Sequence, residues 1–243
     1  MRKSNIININ ESLLDAPIYR IMPVTRFFQL LDDKKLALLK PKKWDDPFEN
    51  TLLNSIFLDC DGREGTFASK DSVYGQCWSL HNETDAMWRI YSQNKDGIKI
   101  STTPRKLLTA LENCVPVYSS VMCFIGAVSY LTYNDILDKF KSIHLMSTDG
   151  AGIAESLLYK RLEFEHEKEI RLIYCGEDDK CLDDIFLFDV NPTNLIDSIV
   201  FDPRMDKNLK LSYRLGINNK GYNFNEIQST LYDTPEKIRI NIC

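Results

Sequence analysis

Short strand patterns and amphipathic helix patterns alternate along the whole 243-residue chain, and no Pro/Gly/Ser-rich linker separates them. The first unit is a strand pattern at 18–22 that Pro23 ends, followed by a helical pattern from Val24 to Asp33. This alternation predicts an α+β fold in which mixed or antiparallel central sheets are flanked by short helices. We expect residues 1–243 to form a single domain, with 1–16 as a loosely attached N-terminal segment.

The remaining patterns predict the other elements. Strands are expected at 36–39, 76–80, 98–101, 170–174, 185–190 and 196–201, with one or two more within 115–130. Helices are expected at 104–111, 134–140 and 153–162, together with one that Asp85 caps. The prolines of 40–47 indicate a loop, and 59–72 is expected to be an exposed connection.

Composition excludes several classes of protein. The net charge is -5, which argues against holding long nucleic acid chiefly by neutralising phosphates. The lysines at 34, 35, 40, 42 and 43 form one dense basic group, interpreted either as a solvated strand edge and turn or as a local basic patch. No apolar run is long enough for a signal peptide or a membrane span, so we expect a cytoplasmic protein without membrane contact.

Cysteine and histidine give no metal or redox motif. The seven cysteines contain no C-x-x-C pair, and the three histidines lie far apart. We therefore predict no metal site. The chain also lacks G-x-G-x-x-G, the Walker loop and the G-x-S-x-G elbow, which leaves acidic residues as the chemical candidates.

The charged run from Glu167 to Arg171 is the first candidate for an active site. If 167–174 is extended, Glu167, Glu169 and Arg171 share one face and the apolar residues share the other. Two neighbouring carboxylates raise the pKa of at least one of them unless a cation such as Arg171 intervenes. The alternative is that the helix from 153 continues, with Glu167 and Arg171 as an exposed i,i+4 ion pair.

Two aromatic motifs are further candidates. The segment Trp44-Asp45-Asp46-Pro47-Phe48-Glu49 carries three carboxylates on a loop that Pro47 restrains, and it either lines a pocket or forms a capped turn whose aromatic rings fill the core. In Met87-Trp88-x-x-Tyr91, helical spacing puts the side chains on neighbouring faces. These three side chains either pack in the hydrophobic core or form a platform on which a planar ring stacks.

Taken in order, these motifs resemble the bacterial domain-of-unknown-function family 2971. The matching residues are Tyr19-Arg20, Leu36 to Pro41, W-x-D-P-F-E from Trp44, Cys77-x-Ser79, M-W-x-x-Y from Met87, Gly97 and E-x-E-x-R from Glu167. The resemblance spans nearly the whole chain, and it implies no assigned reaction.

A remoter resemblance is to ADP-ribosyltransferases, which begin with a strand bearing a basic or His residue and later present a catalytic Glu on a strand. It implies that Arg20 holds NAD, that Tyr91 or Trp88 stacks on nicotinamide, and that Glu169 stabilises the ribose as the glycosidic bond breaks. Glu167 would then orient the acceptor, and Arg171 would keep Glu169 ionised. Ser79, Trp44 and Asp46 are expected to line the same pocket. The chain departs from the pattern because it has no initial His and no S-T-S string after Cys77.

Three functions are consistent with these residues. The first is an NAD-consuming ADP-ribosyltransferase-like enzyme, a toxin or phage-defence effector that modifies nucleic acid or protein and is paired with an antitoxin or defence-system partner. The alternatives are a non-catalytic ligand- or partner-binding module of a defence system, and a metal-dependent nuclease using Asp46, Glu167 and Glu169. Convergence of Arg20, Ser79, Tyr91 and Glu169 on one cleft is the structural requirement of the first.

Overall fold

A computed structural model describes residues 5–58, 60–116, 122–143, 150–176, 181–182, 184–235 and 239. Its strands are β1 Ile6–Ile7, β2 Ile18–Pro23, β3 Lys35–Leu39, β4 Ile56–Leu58, β5 Glu64–Thr66, β6 Val73–Ser79, β7 Gly97–Thr102, β8 Cys123–Ala127, β9 Ser129–Leu131, β10 Tyr159–Arg161, β11 Glu169–Cys175, β12 Cys181–Leu182, β13 Ile185–Asp189 and β14 Ser198–Phe201. Its α-helices are α1 Glu11–Leu14, α2 Val24–Asp33, α3 Asp85–Tyr91, α4 Pro104–Glu112, α5 Tyr133–Ser142, α6 Ala151–Ser156, α7 Pro192–Leu195 and α8 Lys207–Asn219. Short 3-10 helices cover Pro41–Lys43, Pro47–Asn50, Ala68–Ser72 and Leu162–Glu167.

Ten strands form one sheet whose main path runs β1-β8-β11-β6-β2-β7-β14, with β3, β13 and β12 branching from β6. The β1–β8 pair is parallel, and the other pairs of this sheet are antiparallel. The predicted α+β fold with a mixed central sheet is therefore confirmed. None of the described helices is long and apolar enough to cross a bilayer.

The sheet splits beside β6, and this split positions the site. β6 forms a single pair with β2, between Ser79 and Tyr19. It forms another single pair with β3, between Gly75 and Leu39. Residues 76–78 between these two pairs face the opening, and the other edge of β6 is paired with β11 along its whole length.

The core lies on both faces of the sheet. Because successive strand residues point to opposite faces, Leu172 of β11 packs into a cluster with Phe27 of α2 and Leu108 of α4, whereas Ile173 packs against Leu157. β11 is buried along its entire length. The strand that carries the acidic motif is thus held rigidly at the centre of the molecule.

Several boundaries differ from those predicted. Thr84 caps α3, because its Oγ1 accepts from the Met87 N–H at 3.1 Å, and the predicted cap Asp85 is the first helical residue. The helix predicted at 153–162 ends at Ser156, and the chain then pairs as β10 with β9. The predicted connection at 59–72 contains β5, and α8 was not predicted.

The described residues of the N-terminal segment contact the central sheet. Ile6 and Ile7 pair with Ile125 and Gly126 of β8, and Leu14 is buried. The short apolar stretch at 6–7 covers an edge of the sheet. Residues 1–4 lie outside the described part of the chain.

Candidate active site

A cavity of about 320 Å³ opens where the sheet splits. This volume is at the lower end of the range of about 300–1,000 Å³ typical of small-molecule sites. Seven of the nine predicted site residues line it: Arg20, Trp44, Asp46, Ser79, Tyr91, Glu167 and Glu169. The other two, Trp88 and Arg171, are fully buried behind its walls. Arg20, Ser79, Tyr91 and Glu169 therefore all line one cleft.

A ring of ion pairs lies at one end of the cavity. Glu169 Oε2 accepts from Arg171 Nε at 2.6 Å, and Glu169 Oε1 lies 2.7 Å from Lys160 Nζ. Glu49 closes the ring, since its Oε2 lies 2.8 Å from Arg171 Nη2 and its Oε1 lies 2.8 Å from Lys160 Nζ. Glu167 Oε2 also bonds to Lys160 Nζ. This end of the cavity therefore has an ion-pair network of three carboxylates and two cations.

This ring separates the acidities of the two glutamates. Burial opposes ionisation of Glu169, but the Arg171 charge, a hydrogen bond from Glu167 and the Lys160 charge outweigh it and hold the pKa of Glu169 well below its usual value. Burial, together with the hydrogen bond to Glu169, raises the pKa of Glu167 to about 7, although Lys160 acts in the opposite direction. Glu169 is thus the more acidic member of the pair, whereas Glu167 takes up a proton near neutral pH.

Arg20 also lines the cavity, and no described residue provides it with a counter-charge. It comes from β2, and no described residue gives its guanidinium an ion pair or hydrogen bond. Burial lowers the pKa of Arg20 from its usual value. A half-buried guanidinium without a partner is costly, and such a group is available to an anionic ligand.

The loop with the W-x-D-P-F-E motif forms another wall. Asp46 caps the turn by accepting from the Phe48 N–H at 3.0 Å, and its Oδ1 also accepts from Arg161 Nη2 at 3.0 Å. Trp44 lies over the Arg171 guanidinium, 4.5 Å from the ring centroid. Gly75 permits this position, because a Cβ there would lie 2.6 Å from Trp44 Cζ2. The motif therefore supplies both a pocket wall and, through Glu49, part of the ion-pair ring.

Helix α3 contributes Tyr91 and Met87 but not Trp88. Tyr91 is 40% exposed and lines the cavity, so a ligand can reach its side chain. Trp88 is fully buried beside Ile21, and its Nε1–H donates to Glu83 Oε1 at 2.7 Å. A ligand ring therefore has access to Tyr91 and not to Trp88.

Ser79 acts on the backbone of the acidic segment. Its Oγ donates to the Glu167 carbonyl oxygen at 2.7 Å and accepts from the His81 N–H at 3.0 Å. Glu167 is the last residue of a 3-10 helix and not a strand residue, since Lys168 has a left-handed φ of 42° and β11 begins at Glu169. The two carboxylates converge through this turn and not through strand alternation.

Sequence reasoning did not identify Lys160 or Cys77 as site residues. Lys160 lies outside the motifs, and only the fold brings it to the glutamates. Cys77 faces Arg171 across the β6–β11 ladder and lines the cavity. Burial, and then the Glu169 charge, raise the pKa of Cys77 above its usual value, so the thiol is not an activated nucleophile. Among the described residues, no group of three or more His, Cys, Asp or Glu side chains is arranged to hold a metal ion.

Comparison with known proteins gives one family match. The model of a protein family of unknown function, DUF2971, matches residues 87–172. This segment contains the M-W-x-x-Y and E-x-E-x-R motifs, and the resemblance predicted from the sequence is confirmed over it. The W-x-D-P-F-E loop lies outside the match. No curated protein sequence shows significant similarity to the chain.

Structural comparison finds the DarT protein of Thermus sp. 2.9. Its complex with NAD+ is 12% identical, covers 88% of this chain and 96% of its own, and has a TM-score of 0.41. The complex with ADP-ribosylated single-stranded DNA is 11% identical over 88% and 94% of the two chains, with a TM-score of 0.41. The complex with carba-NAD+ is 12% identical over 90% and 96%, with a TM-score of 0.38. Similarity at this level gives no functional argument for the present chain.

Proposed function

We propose that this protein is an NAD-consuming ADP-ribosyltransferase-like enzyme and that the cavity beside β6 is its active site. The proposal rests on two residues that line the same cavity. Arg20 has no ion-pair or hydrogen-bond partner among the described residues, and Glu169 is an anionic carboxylate that Arg171 holds in place.

The charges of the cavity match those of NAD+. When Glu167 is ionised, three carboxylates face two cations, which leaves one excess negative charge at the Glu169 end. That end complements the positively charged nicotinamide ring. Arg20, which also lines the cavity, complements the pyrophosphate, because a guanidinium binds phosphate oxygens in a bidentate fashion.

The proposed reaction breaks the bond between nicotinamide N1 and ribose C1′. The bonding electron pair leaves with nicotinamide, and positive charge develops on C1′ and the ribose ring oxygen. A fixed anion next to that charge stabilises the transition state more than the ground state. Glu169 has this property, since Arg171 and Lys160 hold its carboxylate in place. The acceptor then attacks C1′.

Two other residues have roles in this scheme. Tyr91 offers a ring face on which nicotinamide can stack. Glu167, with a pKa of about 7, orients the acceptor nucleophile and can take up the proton that the nucleophile loses. The role of Glu167 places the acceptor on the side of the cavity formed by the 162–167 turn.

The metal-dependent nuclease is less well supported. It requires carboxylates that converge on an open position for a divalent cation. Glu49, Glu167 and Glu169 instead converge on the Lys160 ammonium. Asp46 is engaged separately with Arg161.

The test is a turnover and transfer assay with purified protein. We expect the wild type to release nicotinamide from NAD+ and to transfer label from [adenylate-³²P]NAD+ to nucleic acid or protein of a bacterial extract. Glu169→Gln, which keeps the size but removes the charge, should lower both rates by about 10²-fold or more. The control Glu64→Gln alters an exposed residue of the β4–β5 hairpin and should be unaffected. Binding of NAD+ without any turnover would instead favour the ligand-binding module.

We further propose that the activity serves a toxin or phage-defence effector restrained by an antitoxin or another defence-system partner. Expression of the wild type in a bacterial host should then arrest growth, whereas Glu169→Gln at equal abundance should not. Equal growth of both strains would contradict the toxin role.

A further inference from the structure

Lys160 reaches the site from outside the main sheet. It lies on β10, which pairs with β9 in a separate two-stranded sheet. Its ammonium is buried, and its three N–H groups meet three carboxylates: Glu49, Glu169 and Glu167. The Phe164 ring covers it at 4.6 Å from Nζ to the ring centroid. An ammonium has three donors, so its hydrogen-bonding capacity is fully used.

The turn that carries Glu167 has little packing of its own. None of the residues in Leu162–Glu167 is buried. Its backbone is attached to β6 through Ser79 Oγ, which donates to the Glu167 carbonyl oxygen, and through the Leu80 N–H, which donates to the Lys168 carbonyl oxygen at 2.9 Å. These bonds fix the main chain and leave the Glu167 carboxylate to be placed by Lys160.

Arg171 does not replace Lys160 in this role. Its guanidinium bonds to Glu169, Glu49 and the Leu157 carbonyl oxygen. It makes no hydrogen bond to Glu167 among the described contacts. Without Lys160, the three carboxylates would face one cation, and like charges in one site oppose ionisation.

We propose that Lys160 is a positioning residue of this active site, whose ammonium holds the Glu167 and Glu169 carboxylates side by side and keeps Glu169 anionic throughout the reaction. The expected effect of Lys160 on kcat rests on the proposed NAD-consuming function. Its expected effect on the ionisation of the two carboxylates rests on the ion-pair geometry alone. The charged and titratable groups that face this pair are Glu49, Lys160, Arg171, Cys77, Tyr91 and Tyr130.

Two substitutions separate charge from geometry. Lys160→Met removes the charge and keeps a similar side-chain length. The acid limb of the pH profile of kcat should therefore shift to higher pH by about one pH unit or more. Lys160→Arg keeps the charge, but its planar head cannot reproduce three converging bonds. It should leave the acid limb in place and lower kcat about tenfold, with KM for NAD+ changed less than about threefold. The exposed Lys141→Met serves as the control.

Carboxylate titration followed by ¹³C NMR gives a readout that needs no turnover. In Lys160→Met, the titration of the Glu167 and Glu169 pair should move to higher pH than in the wild type, whether or not NAD+ is the substrate. Unmoved carboxylate titration in Lys160→Met would overturn the proposal. If Lys160→Met does not fold, the test is the kcat of Lys160→Arg. A kcat of Lys160→Arg equal to that of the wild type would overturn the proposal. Absence of turnover in the wild type, with the shifted titration present, would contradict only the proposed function.

Discussion

At the level of single residues, the buried guanidinium of Arg171 shows why the acidic motif includes an arginine. Its nitrogens donate to Glu169, Glu49 and the Leu157 carbonyl oxygen, and the Trp44 ring covers its face. A buried cation needs such complete pairing, because an uncompensated one would destabilise the fold by several kcal/mol. Arg171 cannot touch a substrate from this position, so its effect on chemistry passes through Glu169.

Glu167 should make stability depend on pH in an unusual direction. Burial raises the pKa of Glu167 from its usual value to about 7, so the folded protein holds this proton more tightly than the unfolded chain does. The stability that protonated Glu167 contributes is therefore fully present below the pKa that Glu167 has in the unfolded chain. It is lost as the pH rises through about 7. Glu167→Gln, which remains neutral, should be more stable than the wild type at pH 8, by on the order of 1 kcal/mol, and closer to it at pH 5.

Urea unfolding at the two pH values measures this difference. Glu163→Gln is the matched control, since Glu163 is exposed in the same turn. It should follow the wild type at both pH values. An equal difference between Glu167→Gln and the wild type at pH 5 and pH 8 would contradict the assignment of a raised pKa.

At the level of elements, the contact between β6 and the 44–50 loop should be sensitive to one methyl group. Gly75→Ala would place a Cβ 2.6 Å from Trp44 Cζ2, so Trp44 must leave its position on Arg171. We expect a loss of stability of about 1–3 kcal/mol, as for other overpacked sites, together with a changed tryptophan fluorescence spectrum. Gly65→Ala is the control, since a Cβ there would meet only a carbonyl oxygen at 4.0 Å. Unchanged fluorescence and stability in Gly75→Ala would show that Trp44 is not confined there.

The same elements show what a single sequence can and cannot predict. The α2 helix was predictable because its buried residues Val24, Phe27, Leu30 and Leu31 recur at helical spacing. The α8 helix has a weak pattern, since it buries Ile217 while Leu211 and Leu215 remain exposed. β10 lies in a stretch whose sequence predicts helix, because three residues are too few to show an alternation and their pairing with β9 is a long-range property.

At the level of the whole molecule, the site depends on which strands are neighbours. The sequence predicts Arg20, Trp44, Tyr91 and Glu169 as site residues because they lie in motifs whose order resembles known families, and all four line the cavity. Their convergence, and the placement of Lys160 among three glutamates, follow from the split of the sheet beside β6. Local patterns identify strands and helices but carry no information on strand order, so the ion-pair ring could not have been derived from them.

The proposed function requires that NAD+ binds at the split beside β6 through Arg20, and calorimetric titration with a non-hydrolysable carbocyclic NAD+ analogue measures this binding. We predict that the wild type binds the analogue and that Arg20→Met weakens binding by about tenfold or more, the effect of losing a charge-assisted hydrogen bond. Because Arg20 has no protein partner among the described residues, the same substitution should leave the free energy of unfolding unchanged or higher. Arg26→Met, on the exposed surface of α2, should change neither the binding of the analogue nor the free energy of unfolding. Binding that Arg20→Met leaves unaltered, or no binding by the wild type, would contradict the account.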